Sequence, residues 1–171
     1  MKFMVASDIH GSAFWCRKLR EMLERESPDK LILLGDLLYH GPRNPLPDEY
    51  APKEVAAMLN DARELIVAVR GNCDSEVDQM VLAFPCMADY AIVLDEQART
   101  IFCTHGHVHT PEAPPTLPKG SVFLSGHTHV KTHEERDGIL YVNPGSVSIP
   151  KDGSHSYAVY EDGAFALKTL S

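Results

Sequence analysis

With 171 residues, 44% of them hydrophobic and 23% charged, the chain has the composition of a soluble globular protein. It is long enough to bury roughly two-thirds of its unfolded surface with no structural metal or disulfide, and no apolar stretch approaches the roughly 18 residues of a membrane span. A net charge of −8 argues against a broad electrostatic grip on nucleic acid but leaves room for a small anion at a local cation.

The N-terminal MKFMVASDIHG has one lysine and a very short apolar run before its aspartate and histidine, so it reads as a first strand rather than a signal peptide. KFMVAS (2–7) is a buried strand, and the helix that follows carries Trp15, Leu19, Met22 and Leu23 at helical spacing with Ser12 placed to cap it. DKLILLGD repeats the pattern of apolar run, glycine and aspartate. A polar, proline-rich stretch from Tyr39 to Pro52 leads into the helix KEVAAMLNDAR, after which LIVAV gives a third buried strand. Alternating strands and helices predict parallel strands with right-handed crossovers. In the second half, ARTIFCTHG, SVFLSGH, ILYVNPG, SYAVY and AFALKTL follow one another through turns, which predicts a second sheet of antiparallel or mixed pairing. The proline-rich TPEAPPTLPKG between them is a stiff surface loop. Cys16, Cys73, Cys86 and Cys103 show no CxxC spacing and read as free thiols of a reducing cytoplasm.

Candidate ligands stand at the C-terminal ends of these apolar runs. Asp8 and His10 follow the first, Asp36 the second, Asn72 and Asp74 the third, and His105, His127 and His129 the later ones. Carboxyl ends of neighbouring parallel strands converge on one crevice, where α/β sheets place their ligands. Singly these signals are weak, since a lone DxH is more often a cap or turn and an aspartate after an apolar run is often a turn former. The ordered series DxH, GD, GNxD, GH, GHTH is far more specific. Asp8, His10, Asp36, Asn72, His105, His127 and His129 are too many for one tetrahedral zinc. Two ions sharing one carboxylate would use them all, the clamp used in hydrolytic phosphate chemistry. Six of the nine histidines fall between His105 and His133, which suggests metal before pH sensing.

On SDIHGS, LLGDLL, VRGNCDSE, CTHGH and SGHTH, standing in this order over about residues 2–150, the chain resembles the calcineurin-like metallophosphoesterases. Through YHGPRNPLP, RGNCDSEVDQM and NPGSVSIPK the resemblance is closer still to the family's small bacterial phosphodiesterases. The resemblance implies an α/β fold, a four-layer sandwich of two mixed β-sheets flanked by helices, in a single domain over 1–171. It also implies a dinuclear site, commonly loaded with manganese. By motif position Asp8, His10, Asp36 and His129 would hold the first ion, and Asp36 would bridge to a second held by Asn72, His105 and His127. Oxygen and imidazole ligands with an amide among them suit Mn²⁺ better than a thiolate-seeking ion, with Zn²⁺, Fe and Ni²⁺ as alternatives.

The predicted activity is hydrolysis of small phosphodiesters by a hydroxide bridging two ions, without a covalent enzyme intermediate, because no Ser/His/Asp or GxSxG arrangement is present. Arg43 and Arg70 are candidates for a phosphate clamp, Arg43 being equally readable as solvated loop charge. His107 is a candidate substrate contact, and His107 and His109 are otherwise polar residues beside the site. Asp74 would serve catalysis by fixing a neighbouring ligand or turn. Cys73 stands where most of the family has a histidine thought to protonate the leaving oxygen or stabilise charge at the phosphate, and a thiol cannot supply an imidazolium's charge. That departure predicts a preference for diesters over monoester dianions. The alternatives are a phosphomonoesterase of the same fold, and a non-catalytic protein-binding scaffold like the family's retromer subunit. The expected partners are a small-molecule phosphodiester and, through an invisible interface, further copies of the chain; no membrane is implied.

Overall fold

The computed structural model describes all of residues 1–171. Strands β1 (Phe3–Ala6), β2 (Lys30–Leu33) and β3 (Ile66–Ala68) lie parallel, linked through helices α1 (Ala13–Glu26) and α2 (Pro52–Asp61). A short helix α3 (Glu76–Val81) follows, then β4 (Tyr90–Leu94), β5 (Thr100–Thr104), β6 (Val122–Leu124), β7 (Thr132–Arg136), β8 (Ile139–Asn143), β9 (Ser156–Glu161) and β10 (Ala164–Thr169). The first sheet has the order β10-β9-β1-β2-β3 and the second β4-β5-β6-β8-β7. Both are mixed. In the second, β5, β6 and β8 run parallel while β4 and β7 pair antiparallel at its two edges.

The central strands read as unbroken apolar runs because both of their faces are covered. Met4, Ala6, Leu31 and Leu33 pack with Cys16, Leu19 and Leu23 of α1 and Val55 and Leu59 of α2. The alternate residues Phe3, Val5, Ile32 and Leu34 turn to the other side and meet Ile101, Cys103, Val122, Leu124 and Val142 of the second sheet. A third, smaller cluster of Phe102, Phe123 and Tyr141 lies on the far side of that sheet with Leu117 of the proline-rich segment against it. The layer order is therefore helices, sheet, sheet, and a stiff loop as outermost cover.

Local chemistry sets the helix ends. Ser12 Oγ accepts from the Trp15 N–H at 3.3 Å as the N-cap of α1, and Pro52 opens α2, where its missing N–H costs nothing. SYAVY and AFALKTL differ from expectation. They become β9 and β10 and close the first sheet, with β9 antiparallel to β1, since the turn after β8 carries the chain back across the layers.

Candidate metal centre

Parallel strands of both sheets end at one rim of the sandwich. From the first sheet this rim receives Asp8, His10, Asp36 and Asn72, and from the second His105, His127 and His129. The strand ends approach so closely that side chains are excluded at two glycines. A Cβ on Gly71 would strike the Asp36 carboxylate, and one on Gly126 would strike Ser7 Oγ and stand 2.9 Å from Asp8 Oδ2. Ser146 Oγ and Ser148 Oγ donate to Asp8 O at 2.9 and 3.1 Å, while Asn143 Nδ2 donates to Gly126 O at 2.8 Å. Asn143 and the segment after it are thus the floor beneath the Asp8 turn and the Gly126–His127 turn.

Five of the candidate ligands hold left-handed backbone: Asp8 (φ 58°), His10 (49°), Asp36 (54°), His127 (68°) and His129 (61°). Residues with a Cβ adopt this region at a cost of about 1–2 kcal/mol each. Such a concentration marks a place where side-chain direction outweighs local stability.

The tautomers follow from backbone partners. A carbonyl oxygen only accepts, so the Nδ1–H groups of His10, His105 and His129 donate to Tyr39 O (2.8 Å), Leu34 O (2.7 Å) and Ile149 O (2.6 Å). Each Nε2 is thereby directed inward. There His10 Nε2 lies 3.4 Å from His129 Nε2, and His129 Nε2 is 3.2 Å from Asp8 Oδ1. On the other side His105 Nε2 lies 3.1 Å from Asn72 Oδ1 and 3.2 Å from His127 Nδ1. Asp36 Oδ2 stands between the groups, 3.7 Å from His10 Nε2 and 3.4 Å from His105 Nε2. Asp8 Oδ1 is buried with no hydrogen-bond partner. Lone pairs facing one another in a buried space repel unless a positive charge, a proton or a metal ion, lies among them.

The electrostatics agree. Burial alone would depress the imidazolium of His105, but the Asp36 and Asp8 carboxylates overcome it and carry the pKa up to about 9. His10 is likewise raised against the pull of burial by Asp8. Burial opposes ionisation of Asp8 and Asp36, yet the histidines hold both below the usual carboxylate range. The donor set of carboxylate oxygen, amide oxygen and imidazole nitrogen fits hard to borderline divalent ions.

Asp74 turns away from this centre. It accepts the backbone N–H groups of Asp36 and Leu37, each at 2.8 Å, and of Gly71 at 2.7 Å, so it clamps the β2 and β3 turns together. Burial pushes its pKa up to about 6 despite the three donors. Cys73 donates its backbone N–H to Asp36 Oδ1 at 2.8 Å and leaves its half-buried thiol at the cleft. Burial, then the Asp36, Asp74 and Asp8 carboxylates, push that thiol up to about 12, far from a nucleophilic thiolate.

Outside the ligand cluster a cleft of about 1080 Å³ opens, with Asp36, Asn72, Cys73, His127 and His129 in its wall. Arg43 lines it. Arg70 does not: its guanidinium pairs with Asp89 at 3.4 Å, away from the cleft wall. His107 meets the cluster edge-on, its ring centre 5.3 Å from that of His105, with Nδ1 buried and unpartnered. His109 packs against Tyr90 and Phe102 on the outer face of the second sheet. Lys151, which the motif reading passed over, also lines the cleft, its backbone N–H donating to His129 O at 3.0 Å. Its signal was the lysine closing NPGSVSIPK.

Comparison with known proteins fits this geometry. The calcineurin-like phosphoesterase superfamily domain matches residues 1–162. Phosphodiesterase YfcE of Escherichia coli strain K12 is 47% identical over 172 aligned positions, covering 100% of this chain and 93% of that protein. The solved structure of Yfce, a phosphoesterase from E. coli, superposes with a TM-score of 0.93 at 43% identity over 100% of both chains. Vacuolar Protein Sorting 29 from Cryptosporidium parvum shares the fold alone, with a TM-score of 0.62 at 18% identity over 98% and 95% of the two chains. A match over nearly its whole length makes this chain a member of the calcineurin-like phosphoesterase superfamily.

Proposed function

We propose that the protein is a divalent-metal-dependent phosphodiesterase that hydrolyses small phosphodiesters at a dinuclear centre. The observation that carries the reading is Asp36 Oδ2 lying between two groups of inward-facing acceptors, 3.7 Å from His10 and 3.4 Å from His105. Asp8, His10 and His129 would hold one ion, Asn72, His105 and His127 the other, and Asp36 both. Mn²⁺ is the ion we assign, from the donor chemistry. When bound, the two ions supply charge neutralisation at phosphate oxygens and lower the pKa of water at the cleft.

The chain's own residues do the rest. Backbone carbonyls fix the three Nδ1 protons and so aim each Nε2. Asp74 holds the Asp36 turn in its left-handed conformation through three N–H groups. Arg43 and Lys151 bring positive charge to the cleft wall, where a phosphate oxygen would lie. Cys73 supplies no positive charge to the leaving oxygen, which favours diester monoanions with good leaving groups. Four free cysteines accord with a reducing, cytoplasmic setting.

The test begins with chelation and reloading with Mn²⁺, followed by assay on bis(4-nitrophenyl) phosphate. Asp36→Asn and His127→Ala should each lose at least about a hundredfold in kcat/KM, since removing even a supporting partner of a metal ligand costs up to about that much. Full activity in either reloaded variant sinks the dinuclear reading.

A further inference from the structure

Beside the cleft is a second depression, of about 540 Å³, that the metal chemistry does not use. It runs between α2 and α3, and Tyr39, Val77 and Asp78 line both spaces. Its walls are apolar. Val77 and Val81 are 66% and 51% exposed, and with Met80 they occupy i, i+4 and i+3 on one face of a helix that buries none of its residues. Pro52 and Ala56 of α2 lie among the facing residues. The groove is held open by structure: Asn60 Nδ2 donates to Val81 O at 2.8 Å, and Asn60 Oδ1 accepts from Ala83 N–H at 2.7 Å. These bonds pin the end of α3 to α2. At the inner end, Tyr39 O accepts from His10 Nδ1, so the groove is tied to the ligand cluster itself.

Two polar side chains of the groove are already engaged, while Lys53 and the hydroxyls of Tyr39 and Tyr50 belong to its lining without such partners. Asn60 is used at both ends of its amide, and Asp78 Oδ2 accepts from Ser75 N–H at 2.8 Å. Along the walls formed by Ala56, Ala57, Val77 and Val81 a sugar or nucleoside would lose water without finding partners, whereas an apolar group loses nothing by leaving water. A diester carries two organic groups on one phosphorus, and the groove shares Tyr39, Val77 and Asp78 with the cleft beside the ligands. Building on the phosphodiesterase reading, we propose that the groove between α2 and α3 is the subsite for an aryl or alkyl ester group, so that the preferred substrates are phosphodiesters with one apolar alcohol.

The affinity of diphenyl phosphate and dimethyl phosphate for the Mn²⁺-loaded protein, measured by calorimetry, tests this without turnover. Diphenyl phosphate should bind about tenfold tighter, the ratio expected if roughly 55 Å² of apolar surface leaves water. The double substitution Val77→Gln/Val81→Gln, at exposed positions that do not load the fold, should bring the ratio near one. Equal binding by the unaltered protein, or an advantage that survives the double substitution, overturns the proposal. So does a drop in molecular mass by light scattering in the variant with the ratio unchanged, which would assign the groove to a second copy of the chain. Turnover is followed separately with phenyl and methyl 4-nitrophenyl phosphate. Hydrolysis of neither, alongside tight diphenyl phosphate binding, would defeat the phosphodiesterase reading and uphold the apolar subsite.

Discussion

Cys73 shows how one side chain is governed by its neighbours. The carboxylates that, after burial, raise its thiol to about 12 would act in the opposite functional sense on an imidazole, because negative charge favours a proton on either group. For the thiol that means a neutral, inert group; for a histidine it means an imidazolium. Cys73→His should therefore place a positive charge beside the cleft and raise kcat/KM on 4-nitrophenyl phosphate relative to the bis ester by about a hundredfold, the low end of what a positioned proton donor contributes. A matched pair of assays checks it, and an unchanged ratio would remove Cys73 as a determinant of mono- versus diester preference. The backbone makes a related point: Asp8, His10, Asp36, His127 and His129 all sit at positive φ, so their directions depend on the turns that hold them as much as on their identity.

Elements are joined at the far end of the sandwich by one carboxylate. Glu26, closing α1, takes Lys168 of β10 at 2.6 Å, Lys2 at 2.9 Å and the Tyr157 hydroxyl of β9 at 3.1 Å. Burial works against its ionisation, but these three donors bring the pKa down to about 2. A depressed carboxyl stabilises the fold above its unfolded value of about 4.5 and loses that contribution as pH falls towards 2. Glu26→Gln should lower Tm at pH 7 by about 2–6 °C, which is about 1–2 kcal/mol once solvent screening is allowed for. Thermal melts from pH 7 to 2 should show the gap closing below 4.5, and a constant gap would assign the effect to packing. How legible each element was follows from the same local logic. The strands ending in Asp8, Asp36 and His105 announced themselves because parallel strands are apolar on both faces. β7, THEER, is a charged edge strand whose sequence resembles a loop, as edges that avoid aggregation do. α3 carries a Ser75 to Asp78 capping box, yet its apolar face points to solvent and gave no core signal. The return of β9 to β1 pairs residues more than 150 positions apart, as in Phe3 with Tyr160, and no local pattern encodes that.

Across the whole molecule, the candidate centre is the seam between the sheets: Asp8, His10, Asp36 and Asn72 belong to one, His105, His127 and His129 to the other. Ions bound there would cross-link the two halves and stabilise the native state by mass action, about 2.7 kcal/mol at a free concentration a hundred times Kd. Protons compete for the same place. His105, raised to about 9, contributes stability to the metal-free protein that is complete below its unfolded value of 6.5 and lost as pH rises through 9. Metal binding must displace that proton, so its affinity changes in the other direction, gaining up to about 1.4 kcal/mol per pH unit between 6.5 and 9. The two trends add. The rise in Tm on adding Mn²⁺ should therefore widen steadily from pH 6.5 to 8.5 at fixed free metal, while the metal-free Tm declines over the same interval. Calorimetry in buffers of different ionisation enthalpy should register close to one proton released per loaded centre at pH 7.5. A metal-induced shift that is flat or shrinking with pH, with no proton released, would mean that positive charge enters this seam by some route other than the buried imidazole–carboxylate pair.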